Sequence, residues 1–246
     1  MKIRLHKYGG KSLGNIKRIK NICNRLSYYV KKGYKIVSII SAMGNTTERI
    51  REFLIKNNIF KKNEECDSIL SIGEQFSISI LSLFLKKIKI KSKILNSFQI
   101  PILTKGKYGS SRIFFINKNK IYEDLKKNDI LLITGFQGIN LDGNITTLSR
   151  GGSDTTALEV AKFLKLKKCY IYTDVSGIFS FDPNCFKSFK RIKKISYKEM
   201  IELASSGSKV MSLESLYSGL KNKIKIYILS SFKNYTFDKK YRTLIK

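Results

Sequence analysis

The 246-residue chain has no tryptophan, two prolines and a single histidine, His6. One histidine excludes a multi-histidine metal site and a histidine-based triad, and His6 has no evident partner in the sequence. The four cysteines, Cys23, Cys66, Cys169 and Cys185, are widely separated and form no CxxC pair. Neither a zinc site nor a disulfide framework is indicated, and they read as structural thiols. No run reaches the roughly 18 apolar residues of a membrane helix, and the opening MKIRLHKYGG is too polar for the core of a signal peptide. A cytoplasmic protein without membrane attachment is the expectation. Any catalysis must use groups other than imidazole.

Acid is also scarce: 18 Asp and Glu stand against 48 Lys and Arg, a net charge of +30. That balance invites a nucleic-acid function. Two features argue against it. Nine of the 48 bases are arginine, whereas specific readout of phosphates and bases leans on arginine. The lysines are scattered among isoleucine and asparagine, as an AT-rich genome would produce. Nonspecific contact with nucleic acid, fading as salt rises, is all the charge implies. A hydrophobic fraction of 42% fits a globular protein of one large or two small domains.

Short Ile- and Val-rich runs alternate with helix-period segments. KIRLHKY at the start, KIVSIIS (35 to 41), DILLITGF (129 to 136), KKCYIYTD (167 to 174) and KIKIYILS (223 to 230) predict buried strands. Ile16, Ile19, Cys23, Leu26 and Val30 make one expected helix face; Ile69, Gly73, Phe76, Ile80 and Phe84 make another. SKIL and RIFF are shorter strand candidates in a less regular stretch, roughly 88 to 125. Such alternation predicts a mostly parallel sheet covered by helices on both sides. Ligands in such sheets gather at the carboxyl ends of strands.

The polar oddities do follow strands. KYGGKS places Lys7, Gly9, Gly10 and Ser12 before a helix, an order that suits a phosphate cradle with a neutralising lysine. It is not the Walker pattern. SAMGNTT offers Ser41, Thr46 and Thr47, which alone could be a simple cap. In SIGEQFSISILSLF, Glu74 and Gln75 interrupt an apolar helix; either Glu74 lies on a solvated stripe, or a buried carboxylate awaits a cationic partner such as a substrate ammonium. TLSRGGSDTTALEVAKFL (147 to 164) sets Arg150, Gly151 and Gly152 against a helix whose N-cap is expected at Ser153 or Asp154. It reads as a capped turn or as an anion site gripped by a guanidinium. TDVSGIFSFDPN contributes Thr173, Asp174 and Asp182, and SSGSKVM contributes Lys209.

In this order, KYGGKS, SAMGNTT, GEQFS, YGSSRI, GFQGIN, TTLSRGGSDTTA, YTDVSGIF, DP, EMIELASSGSKVM and the closing SSF resemble the catalytic domain of aspartate kinase, a member of the amino acid kinase superfamily. The resemblance runs from Lys7 to about Phe232. It implies an α/β fold, a three-layer αβα sandwich with a mostly parallel central sheet, and transfer of the γ-phosphoryl of ATP to the side-chain carboxylate of L-aspartate. The product, 4-phospho-L-aspartate, would start the route to lysine, threonine and methionine. Mg²⁺ normally accompanies the ATP. Carried over motif by motif, Lys7, Asp154 and Lys209 would be catalytic, with Asp154 organising the two lysines. Lys7, Gly9, Gly10, Ser12, Thr173, Asp174, Phe179, Asp182, Lys209 and Val210 would hold ATP. Ser41, Thr46, Thr47, Glu74, Arg150, Gly151, Gly152 and Ser153 would hold aspartate, with Arg150 on its α-carboxylate.

The chain departs from the family pattern in places. Lys11 stands where the family usually has Thr or Ser, Asn184 follows Asp-Pro where Arg is common, and Ile100 and Pro101 replace small residues. The family usually continues into ACT regulatory domains, whereas residues 1–246 are read as a single catalytic domain, so feedback inhibition by lysine or threonine is expected only if another chain supplies them. A homodimer is expected by analogy. A kinase with another acceptor, or a basic nucleic-acid-binding protein that kept the fold and lost catalysis, are the competing readings.

Overall fold

The computed structural model describes residues 1–179, 191–208, 210–234, 236, 238 and 241–246. Strand β1 (Ile3–Tyr8) leads through a single 3-10 turn (Gly10–Leu13) into α1 (Ile16–Lys31) and β2 (Lys35–Ile40). Helices α2 (Thr46–Lys56), α3 (Glu64–Leu70) and α4 (Ile72–Lys87) follow. Next come β3 (Ser92–Leu95), β4 (Ile102–Lys105), β5 (Arg112–Ile116), α5 (Lys118–Lys127), β6 (Ile130–Thr134), β7 (Gln137–Ile139) and β8 (Ile145–Thr147). The remainder holds α6 (Gly152–Phe163), β9 (Lys168–Thr173), β10 (Ile178–Phe179), β11 (Arg191–Ile192), β12 (Lys194–Ile195), α7 (Tyr197–Ser205), α8 (Leu213–Lys221), β13 (Lys225–Ser230) and β14 (Arg242–Ile245). Each run read as a strand from its Ile and Val content is one.

Eight strands form the central sheet in the order β12-β14-β13-β9-β1-β2-β6-β3, every neighbouring pair parallel except β13 with β14. A smaller four-stranded sheet, β5-β4-β7-β8, adjoins it. The expected three-layer αβα sandwich is the observed architecture.

Period-two alternation decides what each strand sends to each face. Leu5, Val37, Ile39, Leu131, Ile133, Cys169, Ile171, Ile226 and Ile228 pack on the α6 side with Ala157, Val160, Ala161 and Leu216. Tyr8, Ile36, Ile40, Ile130, Leu132, Tyr172 and Leu229 pack on the opposite side with Ile19, Ile22, Leu26, Ile78, Leu81 and Leu85 from α1 and α4. Two residues beyond Leu5 on β1, Lys7 therefore points toward α6, and Tyr8 toward α1.

The helix faces differ from the expected stripes. In α4 the buried residues are Gly73, Glu74, Ser77, Ile78, Leu81, Ser82 and Leu85, while Phe76 is 52% exposed. In α1, Ile16 is exposed and the stripe is Ile19, Ile22, Cys23, Leu26 and Tyr29. Almost uniformly apolar, α4 carries too little contrast for periodicity to select its inner face, whereas α1 keeps Ile19, Cys23 and Leu26 of its expected stripe inside. The stretch Glu64–Lys87, across α3 and α4, is long and apolar enough to span a membrane by length and composition, and half of it is buried inside the fold.

His6 does have partners. Fully buried, it accepts from Arg4 Nε at 2.8 Å, and its Nδ1 lies 3.1 Å from the Tyr8 hydroxyl. The rings of Tyr8, Tyr29, Tyr170 and Tyr172 surround it, all with centroids within 6.0 Å. Cys23, Cys66 and Cys169 are free and buried; Cys185 lies outside the described residues.

Candidate active site

Strand β1 lies beside β9; β1 leads on to β2 on one side and β9 to β13 on the other, so the strand order reverses between them and leaves a crevice at their carboxyl ends. A cleft of about 500 Å³ opens there, lined among others by Lys7, Gly10, Ser41, Thr47, Glu74, Arg150, Gly151, Gly152, Ser153 and Asp154. Residues separated by up to 147 positions in the sequence thus share one cavity.

At its floor, Lys7 Nζ lies 2.7 Å from Asp154 Oδ1, both side chains nine-tenths buried. The pair exists because β1 aims Lys7 at α6 and because α6 begins early enough, two or three residues before the expected cap, to place Asp154 in its first turn. Gly151, not Ser153 or Asp154, is the N-cap, in the left-handed region at φ 82°. A Cβ at Gly151 would stand 2.7 Å from the Ser212 Cβ, so both backbone and space demand glycine. Ser153 and Asp154 then fall in the first helical turn, where a carboxylate is favoured by the helix dipole.

The loop after β1 meets the loop after β2. Gly44 N donates to Gly10 O at 2.9 Å, and a Cβ on Gly10 would come within 2.7 Å of the Gly44 and Ala42 carbonyls. Gly9 N donates to Tyr172 O at 3.1 Å. Ser12 is turned away from the cleft: fully buried, it donates its hydroxyl to Tyr172 O at 3.3 Å. Lys11, the departure beside this loop, forms an ion pair with Asp174 at 2.8 Å.

Glu74 resolves the alternatives left open by the sequence in favour of burial. It is 3% exposed; Oε1 accepts from Ala42 N at 3.0 Å and Oε2 is buried without a partner among the described residues. Burial pushes its carboxyl up to about 8, against the backbone donors of Ala42 and Glu74 itself. Thr47 lines the cleft, whereas the Thr46 hydroxyl donates to Met43 O at 2.6 Å and stays out of the lining. Arg150 is exposed at the rim.

Thr173, Asp174, Phe179 and Val210 lie outside this lining. Thr173 Oγ1 donates to Asp174 Oδ1 at 2.8 Å. Burial would raise the Asp174 carboxyl, but hydrogen bonds from Lys11 and Thr173 outweigh it and hold it below its ordinary value. Phe179 ends β10, and Val210 packs on the α6-side core. Asp182 and Lys209 lie outside the described residues.

Several lining residues carried no separate signal in the sequence. Phe136 has φ 67° without being glycine, and its N–H donates to Thr156 Oγ1 at 3.1 Å; such strain clusters at functional sites. Asp67 of α3 is buried and accepts from Thr147 N at 2.6 Å, Thr147 Oγ1 at 2.8 Å and Gly109 N at 2.9 Å. It clamps β8 and the loop between β4 and β5 to α3. Arg51, Phe60, Lys61 and Lys62 complete one wall. Among the described residues, no group of three or more His, Cys, Asp or Glu could hold a metal ion.

Glycine-permitted loops that nearly touch, a buried lysine–carboxylate pair at a helix N-terminus and a cavity at the switch point of a parallel sheet define an α/β protein with one cleft at the carboxyl ends of its central strands. The model of the amino acid kinase family matches residues 2–230, and the chain belongs to that family. It is 39% identical to an aspartokinase of Geobacillus stearothermophilus over 95% of this chain and 58% of that protein. A crystal structure of aspartate kinase from Synechocystis superposes with a TM-score of 0.81 at 34% identity, covering 95% of this chain and 39% of that one. Aspartokinase III of E. coli, in complex with aspartate and ADP, shares the fold at TM-score 0.82 and 21% identity, over 100% of this chain and 64% of its own. The chain therefore spans a little over half the length of the Geobacillus relative.

Proposed function

We propose that this chain is the catalytic domain of an ATP-dependent aspartate kinase, making 4-phospho-L-aspartate and ADP. The observation that carries it is the pairing, within one cleft, of the Lys7–Asp154 ion pair with a buried carboxylate, Glu74, whose second oxygen has no partner among the described residues. A phosphoryl group needs the first, and an amino-acid ammonium supplies what the second lacks.

In this reading Lys7 neutralises charge on the transferring phosphoryl group while Asp154 fixes its ammonium. Gly9 and Gly10 let the loop after β1 approach the phosphates. Thr173, Asp174, Phe179 and Val210, with Asp182 and Lys209, serve the nucleotide, and Lys209 adds a second catalytic cation. Ser12 acts by fixing the loop through Tyr172 rather than by touching ATP. Ser41, Thr47 and the turn Arg150 to Ser153 hold the acceptor, with Thr46 shaping the loop that presents Thr47. An oxygen of the acceptor's side-chain carboxylate attacks the γ-phosphorus, the bond to the bridging oxygen breaks, and ADP leaves, so no covalent enzyme intermediate is required.

Mg²⁺ would be carried to the cleft on the nucleotide phosphates. Bound there, Mg²⁺ would add charge neutralisation. We further place the protein in the cytosol, in the route to lysine, threonine and methionine. A homodimer is supported by the exposed Ile72, Phe76 and Leu83 along α4. ADP release tested with L-aspartate, glutamate, acetylglutamate and UMP discriminates the acceptors: aspartate alone should drive turnover, and turnover with another acceptor only would replace this reading.

A further inference from the structure

The wall formed by α2 and the segment before α3 carries Arg51, Lys61 and Lys62, and none of them forms an ion pair among the described residues. Arg51 is the most constrained of the three. Its Nε is buried without a hydrogen-bond partner among the described residues, and its guanidinium sits 5.2 Å from the centroid of the Phe60 ring, which restricts its orientation. A buried guanidinium nitrogen without an acceptor is costly, and a ligand anion removes the cost.

The position along the cleft identifies the anion. Helix α2 starts at the loop that touches Gly10 and runs away from it. Thr47 is beside Glu74: a Cβ on neighbouring Gly73 would lie 3.5 Å from Thr47 Oγ1. Arg51 follows Thr47 by four residues, on the same helix face and about 6 Å further from the phosphate loop. The order from the floor is thus lysine for the phosphoryl group, carboxylate for the ammonium, then guanidinium. We propose that Arg51 is a specificity-determining residue that binds the α-carboxylate of the acceptor, sharing it with Arg150, so that two guanidinium groups from different elements hold one carboxylate. The inference rests on the aspartate kinase reading of the cleft.

The test compares the wild type with Arg51→Met, which keeps the apolar stem over Phe60, and with Arg51→Lys. Steady-state ADP release should show KM for L-aspartate about ten- to a hundredfold higher in Arg51→Met, the loss of one charge-assisted contact, with KM for ATP and the melting temperature unchanged. Arg51→Lys should recover part of the loss. Calorimetric titration with β-alanine, which keeps the amine and the reacting carboxylate and lacks the α-carboxylate, should give the same affinity for wild type and Arg51→Met. An unchanged KM for aspartate, or KM for aspartate and ATP rising together, overturns the inference while leaving the aspartate reading intact. If the wild type shows no aspartate-dependent turnover, that reading falls. Calorimetry with malonate then decides for Arg51: heat lost in Arg51→Met keeps it as a carboxylate site, and equal heat removes it.

Discussion

Lys7 Nζ and Asp154 Oδ1 lie 2.7 Å apart at the floor of the cleft, joining the end of the central strand to the first turn of α6. Neither residue can be replaced without leaving the other a nearly buried, unpaired charge. Asp154→Asn should lower kcat by about a hundred- to a thousandfold, the scale of one electrostatic contact to a transferring group, and should destabilise the fold. The double variant Lys7→Met/Asp154→Leu should regain melting temperature and no activity. Recovery of activity in the double variant would remove the pair from catalysis.

Glu74 sets a pH dependence. Its carboxyl, raised by burial to about 8 in the folded chain, lies near its ordinary value when unfolded. The folded state therefore holds a proton that the unfolded state has released between roughly pH 4.5 and 8, so stability falls as pH rises across that window. Glu74→Gln should abolish this slope and melt higher than wild type at pH 8.5. A substrate ammonium needs the ionised carboxylate, so KM for L-aspartate should fall as pH rises from 6.5 to 8 in the wild type and stay flat and high in Glu74→Gln. A flat wild-type profile would contradict the assignment.

Asp67 is expected to be architectural for the cleft. Asp67→Ala leaves Thr147 N–H, Thr147 Oγ1 and Gly109 N–H without their acceptor, costing about 1–3 kcal/mol per stranded donor. Urea unfolding should show the midpoint shifted down, and the KM for aspartate should rise more than that for ATP. Equal stability of wild type and variant would refute the clamp.

His6 provides a direct check on the fold. Burial first, then the charges of Arg4 and Arg25, push its imidazole well below its ordinary value. As the only histidine, its ring signals are unambiguous in proton NMR. They should show no titration step at the ordinary imidazole value near 6.5, and because the unfolded imidazole binds a proton there while the folded one does not, stability should decline as pH falls below that value. A titration midpoint near 6.5 would mean the aromatic cage is open.

Much of this was legible in the residues. Ile- and Val-rich runs between helix-period segments specified the central strands, because strands buried on both faces carry no polar alternation to confuse them. The Gly-bearing turns after those strands marked the cleft for the same reason that ligands gather there. The inner face of α4 was not legible, since Ile72, Phe76 and Leu83 are as apolar as Ile78 and Leu81 and only tertiary packing separates them. Asp67 and Arg51 were missed because an acid near a helix start and a base on a helix face look like ordinary solvated charge; their roles arise from partners about 40 to 80 residues away or from a missing partner. The cap at Gly151 was hidden by Ser153 and Asp154, better capping residues on propensity, overruled by the left-handed turn that brings α6 against Ser212.

Trapping the acyl phosphate shows whether this chain phosphorylates aspartate. Purified protein is incubated with Mg·ATP, L-aspartate and hydroxylamine, which converts an acyl phosphate to a hydroxamate, and the hydroxamate is identified by mass spectrometry beside an Asp154→Ala control. Aspartate β-hydroxamate formed by the wild type and absent from the control is the predicted result. ATP consumption without hydroxamate, or hydroxamate formed equally by the control, would contradict it.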